Sequence, residues 1–388
     1  MFNIKLLNKI SEAGLGIFEP SKYNVSAEAE DPDAVMVRSF NMNEMDMGGN
    51  LKAIARAGAG VNNIPVSKCT DKGIVVFNTP GANANGVKEL VIASLLISSR
   101  RIVQGINRVQ SMKDRCSDVA QAVEKEKSAF EGPEIKGKKL GVIGLGAIGS
   151  MVANDAVTLG MEVCGYDPYI SVDFAWSLSR EVKRENDLDH LLATCDYISL
   201  HVPLLDETKN MLDKKKFAVI KKGARIINLA RAGLVSSADL IEAVENGIIS
   251  CYVTDFPEEC MLGHENIITI PHLGASTPES EDNCALMAAQ QLRDFLEKGN
   301  IRNSVNMPEC VLEKNENKRI TIININIPNM LGQFTGILAG YGINIERMLN
   351  HHKNGIAYTI IDVGGEIPCD VLEKLSKIEG VIKMRVIG

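Results

Sequence analysis

The chain has 388 residues, 45% hydrophobic and 23% charged, with a formal net charge of −7 at pH 7. That length suits two or three packed domains, and the acidic balance excludes a general affinity for nucleic acid or anionic membrane. Nine cysteines stand singly, without CxxC pairs or zinc spacing, which argues for reduced thiols and against a disulfide framework or a metal site. Polar residues break up the opening stretch, which does not read as a secretory signal, and no run is long enough to span a bilayer, so a cytoplasmic location is expected.

Residues 1–85 read as short strands alternating with loops and helices. Residues 35–37, 51–55 and 75–77 are predicted strands. Each runs into a polar or glycine-rich loop: Arg38-Ser39, then Arg56 through Gly58 and Gly60, then Asn78 through Asn83. Ligands of open parallel sheets bind beyond the carboxyl ends of strands, so these loops are candidate substrate contacts. A guanidinium suits a carboxylate or phosphate, which singles out Arg38 and Arg56; plain turns and ordinary surface arginines are the alternative. Residues 87–108 are apolar-periodic and predict one long helix, followed by a charged, irregular stretch over 112–138.

The densest signal follows. Leu140 to Ile143 predicts a buried strand, Gly144-x-Gly146-x-x-Gly149 a tight turn, and Met151, Val152, Ala156 and Leu159 a helix. Gly144 makes the turn, Gly146 lets the backbone approach a pyrophosphate, and Gly149 permits close helix–strand packing. A second strand, 161–166, ends at Asp167, about twenty residues past the glycines, where a carboxylate accepts hydrogen bonds from an adenosine ribose. That acid disfavours a 2′-phosphate, so NAD is expected rather than NADP. Trp176, the single tryptophan, is expected only to pack.

Further strands are predicted at 197–200, 224–228, 251–253 and 267–270. Their ends carry His201-Val202-Pro203, Ala230-Arg231, Thr254-Asp255 leading to Glu259, and Pro271-His272. In a parallel sheet those ends share one edge, so residues distant in sequence are expected to meet there. A helix starts at Ser276-Thr277-Pro278 and ends near Gly299, and 302–318 reads as a linker. The last segment, 319–388, predicts βαββαβ, a ferredoxin-like order whose sheet would seek a partner.

Taken together, the motifs resemble the D-isomer-specific 2-hydroxyacid dehydrogenases. The fingerprint Gly144–Gly149 with Asp167-Pro168 is similar to that family's, as are Leu200 to Thr208, Ile227 to Gly233 and Ile270 to Thr277. The resemblance implies an α/β fold: a Rossmann-type domain (89–279) inserted in a smaller flavodoxin-like substrate domain (1–88 and 280–304). The C-terminal unit (317–388) resembles an ACT regulatory domain.

The resemblance also implies roles. His272 would be the general base and Glu259 would orient it. Arg231 would hold the substrate carboxylate. The cofactor contacts would come from Gly144, Gly146, Ala147, Ile148, Gly149, Asp167, His201, Val202, Pro203, Thr208, Ala230, Arg231, His272, Gly274 and Ala275, with either Thr254 or Asp255 at the nicotinamide amide. Arg38, Ser39, Arg56, Gly58, Gly60 and Asn83 match the substrate loops of family members that oxidise 3-phospho-D-glycerate with NAD. Asn329 and Asn344 match effector contacts of serine-binding relatives, although Ile327 stands where those carry histidine. L-serine is therefore a possible effector, and a homo-oligomer of at least two copies is expected. Three sequence features depart from the family pattern: the acid falls at Asp255 where Thr254 is the aligned position, Cys260 follows Glu259, and Ala232 follows Arg231. A dehydrogenase for another D-2-hydroxy acid, or a dehydrogenase-fold binding protein such as a corepressor, stays open at this point.

Overall fold

A computed structural model describes residues 1–114 and 118–388. The chain divides into two compact units, Met1–Asn83 with Pro278–Gly388, and Ala84–Thr277.

The first unit opens with a parallel sheet of β1 (Phe2–Leu6), β2 (Tyr23–Ser26), β3 (Ala34–Val37), β4 (Ala53–Arg56) and β5 (Val75–Phe77), in the order β2-β1-β3-β4-β5. β3 and β5 are buried along their whole length, which is why they read as unbroken apolar runs. The helix Pro278–Lys298 supplies Ala285, Ala288, Leu292 and Phe295 to the core beneath this sheet.

The second unit carries seven parallel strands: β6 (Lys139–Ile143), β7 (Glu162–Tyr166), β8 (Lys183–Arg184), β9 (Tyr197–Leu200), β10 (Ala224–Asn228), β11 (Ile249–Thr254) and β12 (Ile267–Thr269). Their order is β12-β11-β10-β9-β6-β7-β8, a doubly wound sheet that reverses direction between β6 and β9. Neighbouring residues of one strand feed opposite layers. Val142 and Ile227 pack with Val91 and Leu95, whereas Ile143 and Ile226 pack with Leu191 and Phe217.

In this unit the structure corrects three expectations. The segment 87–108 is two helices, Ala84–Ser99 and Ile102–Gln110. Arg101 leaves helical geometry between them (ψ 51°), which breaks a run that periodicity leaves continuous, and its guanidinium pairs with Glu265. The charged stretch after it holds a helix, Val119–Glu126, capped by the Asp118 carboxylate, which accepts from Gln121 N at 3.0 Å; residues 115–117 lie outside the described residues. Trp176 does not pack: it is 85% exposed on the short helix Val172–Ser177.

The C-terminal part of the first unit forms β13 (Lys318–Ile325), β14 (Ile345–Lys353), β15 (Ile356–Val363) and β16 (Val381–Ile387), an antiparallel sheet in the order β14-β15-β13-β16. Helices Met330–Gly340 and Cys369–Ser376 cover one face. The other face sends Ile323, Tyr358 and Ile360 into the core that also holds Phe77 and Phe295. The sheet thus finds its partner within its own unit.

The segment 302–318 is not a free linker. Met307 and Cys310 are buried, and the Asn306 side chain bonds Val76 N and Ile74 O at 2.9 Å each. Fully buried Arg319 binds Asp362 through two hydrogen bonds of 2.6 and 2.9 Å and reaches back to the carbonyls of Lys298 and Leu312.

Candidate functional site

The second unit sets its strand ends level. Tyr166 pairs with Ile143, Ile143 with Leu200, Leu200 with Asn228, Asn228 with Thr254, and Thr254 with Thr269. One register row therefore crosses six strands. The residues just past it are Asp167, Gly144, His201, Arg231, Asp255 and His272, all on the carboxyl edge.

The glycine turn suits a dinucleotide pyrophosphate. Gly144 has φ +90°, and a Cβ there would lie 2.7 Å from the His201 carbonyl oxygen. Gly146 precedes helix Ala147–Thr158, and a Cβ on it would meet nothing within 4 Å, so open space faces the helix N-terminus. Ala147, Ile148 and Gly149 form the first turn of that helix. Asp167 braces the loop, accepting from Leu145 N and Tyr169 N at 2.8 Å each.

His201 lies under this turn, with Nε2 2.8 Å from the Ser199 hydroxyl; burial pushes its imidazole down to about 4, so it is neutral at working pH. The Thr208 hydroxyl ties its own loop, donating to Pro203 O at 2.6 Å and accepting from Leu205 N at 2.8 Å. Val202 lies beside Gly144, and buried Gly274 lies against Val87.

The candidate catalytic residues follow β10, β11 and β12. Arg231 is exposed; its Nη1 donates to Ala230 O at 2.7 Å, and Asn228 Nδ2 donates to the Arg231 carbonyl at 3.0 Å. His272 is exposed and its ring lies T-shaped to that of Phe256, ring centroids 4.8 Å apart. Glu259 is exposed on the short turn Glu259–Met261 and has no hydrogen bond to His272 among the described residues. Glu258 accepts from the Ser237 hydroxyl at 2.8 Å. Thr254 is buried, and its hydroxyl oxygen accepts from Phe256 N at 3.1 Å. Asp255 is 3% exposed, and among the described residues neither carboxylate oxygen has a hydrogen-bond partner. Burial raises its pKa, with His272 and Arg231 pulling the other way.

In the first unit, Asn8 is a positioning residue that sequence reading missed. Its Oδ1 accepts from the backbone N–H of Arg38, Ser39 and Phe40 at 3.1, 3.0 and 2.9 Å. Asn63 donates to the carbonyls of Arg38 and Phe40. An asparagine in the loop past a first strand was the available signal, but its partners lie some thirty residues away. Arg38 pairs with Glu281 at 2.7 Å, and Arg56 Nε donates to Arg38 O at 3.2 Å. Gly58 has φ +147°, and a Cβ there would collide with the Arg56 guanidinium. Gly60 faces open space, and Asn83 is half-buried. Asn329 precedes helix Met330–Gly340 in the left-handed conformation (φ +65°) and makes no side-chain cap bond, and Asn344 Nδ2 donates to Glu346 at 2.8 Å.

A doubly wound sheet with this glycine turn, brace and row of polar strand ends defines a dinucleotide-binding α/β domain of the dehydrogenase class. Residues 92–274 match the model of the D-isomer specific 2-hydroxyacid dehydrogenase, NAD binding domain, and belong to that family. The chain is 36% identical over 320 residues to a D-3-phosphoglycerate dehydrogenase of Methanocaldococcus jannaschii, covering 80% of this chain and 58% of that protein. A Synechocystis protein of the same name is 32% identical over 370 residues, covering 92% of this chain and 64% of its own. The chain thus spans about three-fifths of the length of these curated relatives. A crystal structure of NAD+-bound 3-phosphoglycerate dehydrogenase from Entamoeba histolytica is similar with a TM-score of 0.60 at 27% identity, covering 79% of this chain and 98% of that one.

Proposed function

We propose that this protein is an NAD-dependent D-3-phosphoglycerate dehydrogenase, oxidising 3-phospho-D-glycerate to 3-phosphohydroxypyruvate, the first step toward L-serine. The observation that carries the reading is the level row of strand ends, which puts Arg231 and His272 on the edge that bears the glycine turn. The names of the relatives support the substrate.

The open space at Gly146 and the Asp167 brace fit a dinucleotide, held by residues 144–149 and Asp167. NAD, when bound, supplies the hydride acceptor. His272 takes the hydroxyl proton on its ring nitrogen as the alcohol carbon gives up hydride, leaving a ketone. Arg231 holds the substrate carboxylate and polarises the oxygen being oxidised, using the guanidinium nitrogens not bonded to Ala230 O. Glu259 orients the imidazole after turning toward it. Since the Thr254 hydroxyl is occupied locally, Asp255 is the better acceptor for the nicotinamide amide. Arg38 and Arg56 receive the substrate phosphate.

The domain plan we propose is a substrate domain (1–88, 280–304), a nucleotide domain (89–279) and an ACT-type module (317–388) with Asn329 and Asn344 at a serine site. Copies pair through the helical edge of the nucleotide domain. Helix Ile102–Gln110 buries no residue and exposes Ile102, Ile106 and Val109, as an interface helix would. Sedimentation of wild type against Ile106→Glu tests this. Among the described residues no helix is long and apolar enough to cross a membrane.

The deciding assay follows NADH absorbance with 3-phosphoglycerate, and with 3-phosphohydroxypyruvate in reverse, with and without L-serine. Turnover lost in His272→Ala supports the reading. Binding of NAD without turnover on any 2-hydroxy acid would favour a binding protein instead.

A further inference from the structure

Resting on the dehydrogenase reading, we infer that Asp255 is a second positioning carboxylate, the buried counter-charge that holds His272 once it has taken the substrate proton. Three observations meet there. First, Asp255 is 3% exposed and both its oxygens are buried without a hydrogen-bond partner among the described residues. A carboxylate kept dry and unpaired is unfavourable, and native structures retain such groups where something else requires them. Second, the groups beside it are committed elsewhere. The Thr254 hydroxyl oxygen accepts from Phe256 N, the Asn228 amide donates to Arg231 O and Tyr252, and Glu258 is held by Ser237. Third, the next residue, Phe256, packs its ring against the imidazole of His272 at an interplanar angle of 75°, so the backbone carrying Asp255 passes beside the base.

The charges acting on Asp255 are His272 and Arg231, the two groups assigned to the reaction. Tyr252 also feels it, and Glu258 acts on the same phenol. Exposed Glu259 has, among the described residues, no bond to the ring. With a bound dinucleotide supplying the hydride acceptor, the substrate C–H bond would break heterolytically as the His272 ring nitrogen takes the hydroxyl proton. The imidazole becomes a cation beside a waiting anion, and Asp255 makes no covalent bond. Placing the acid one residue past the family's usual position thus has a consequence: a carboxylate that elsewhere serves the cofactor amide here also serves the base.

The test uses full-length protein with 13C-labelled histidine. Six histidines keep the spectrum tractable, and His272→Gln assigns the resonance. Titration of the His272 ring is read in wild type, Asp255→Asn, Asp255→Glu and Glu259→Gln. The inference expects Asp255→Asn to lower the His272 midpoint by about half a pH unit or more, as loss of a nearby anion does. It also expects kcat to fall at least about tenfold, the scale of acid–base assistance, with the acid limb of its pH profile displaced. Asp255→Glu should restore much of both. Asp255→Asn should melt no lower than wild type, because it removes a buried, unpaired charge. An unmoved His272 midpoint in Asp255→Asn overturns the inference, even if NADH affinity falls, since Asp255 would then serve the cofactor amide alone. A large loss of melting temperature also overturns it, by making Asp255 structural. Because the ring titration needs no turnover, it still decides this point if the dehydrogenase assay fails.

Discussion

Gly149 lies so close to Gly144 that a Cβ on it would drive into the Gly144 carbonyl oxygen. The turn and the helix after it are therefore packed backbone against backbone, and Gly149→Ala must push them apart. At Gly146 a Cβ meets nothing within 4 Å, yet that space is the room for a pyrophosphate. Gly149→Ala is expected to lower both melting temperature and NADH affinity. Gly146→Ala should keep its melting temperature and lose about tenfold or more in NADH affinity, one blocked phosphate contact. Fluorescence titration of NADH checks both; tight binding by Gly146→Ala would remove the pyrophosphate from this turn.

Arg38 spends its charge on Glu281 at 2.7 Å. If it receives the substrate phosphate, Glu281 competes with that phosphate. Glu281→Gln should lower KM for 3-phosphoglycerate about two- to fivefold, consistent with removing an exposed pair of ordinary strength. Arg38→Ala should raise KM by more than tenfold while NADH affinity holds. Steady-state kinetics with both variants decides; equal KM values in all three proteins would exclude Arg38 from the substrate.

Asp362 is buried between two guanidinia, accepting from Arg319 and, at 2.7 Å, from Arg347. Burial alone would raise its pKa, but the two cations win and hold it below the usual carboxylate range. Its stabilising contribution is present above the unfolded-chain value near ~4 and is lost as pH falls through the lower, folded value. Asp362→Asn leaves Arg319 buried without its counter-ion and should cost about 3–5 kcal/mol. Urea melts at neutral pH give the loss, and melts of wild type and variant should converge in acid. A cost under about 1 kcal/mol would mean that water replaces the carboxylate.

Burial pushes His201 down to about 4, so the folded protein resists its protonation while the unfolded chain accepts a proton near ~6.5. Stability should thus be fully present above that unfolded value and decline as pH falls toward 4. His201→Gln should flatten this acid limb and leave the neutral-pH profile of kcat unchanged, since a neutral His201 is no proton carrier. Thermal melts between those limits test it; an unchanged slope would assign the acid limb to other groups.

Much of the nucleotide domain was legible because its signals are local. Gly144, Gly146 and Gly149 carry their own backbone requirement, and Leu140 to Ile143 show the apolar run that a strand covered on both faces must have. Asp167 was readable as the acid after the second strand. Its brace on Leu145 was not, because that bond depends on how the loop closes. On the substrate side, Arg38 and Arg56 stood out by chemistry, whereas Asn8 and Asn63, which hold the Arg38 loop, did not.

By itself the sequence determined the alternation of strands and helices, the glycine turn and the residues able to carry proton and hydride chemistry, because these follow from side-chain type and nearest-neighbour periodicity. Only the tertiary structure decided the rest. It broke 87–108 at Arg101, exposed Trp176, clamped 302–318 through Asn306 and Arg319, and left Asp255 buried without a donor among the described residues. Each of those outcomes depends on a partner far along the chain or on the lack of one, and burial and pairing are properties of the packed whole, which no local window of residues contains.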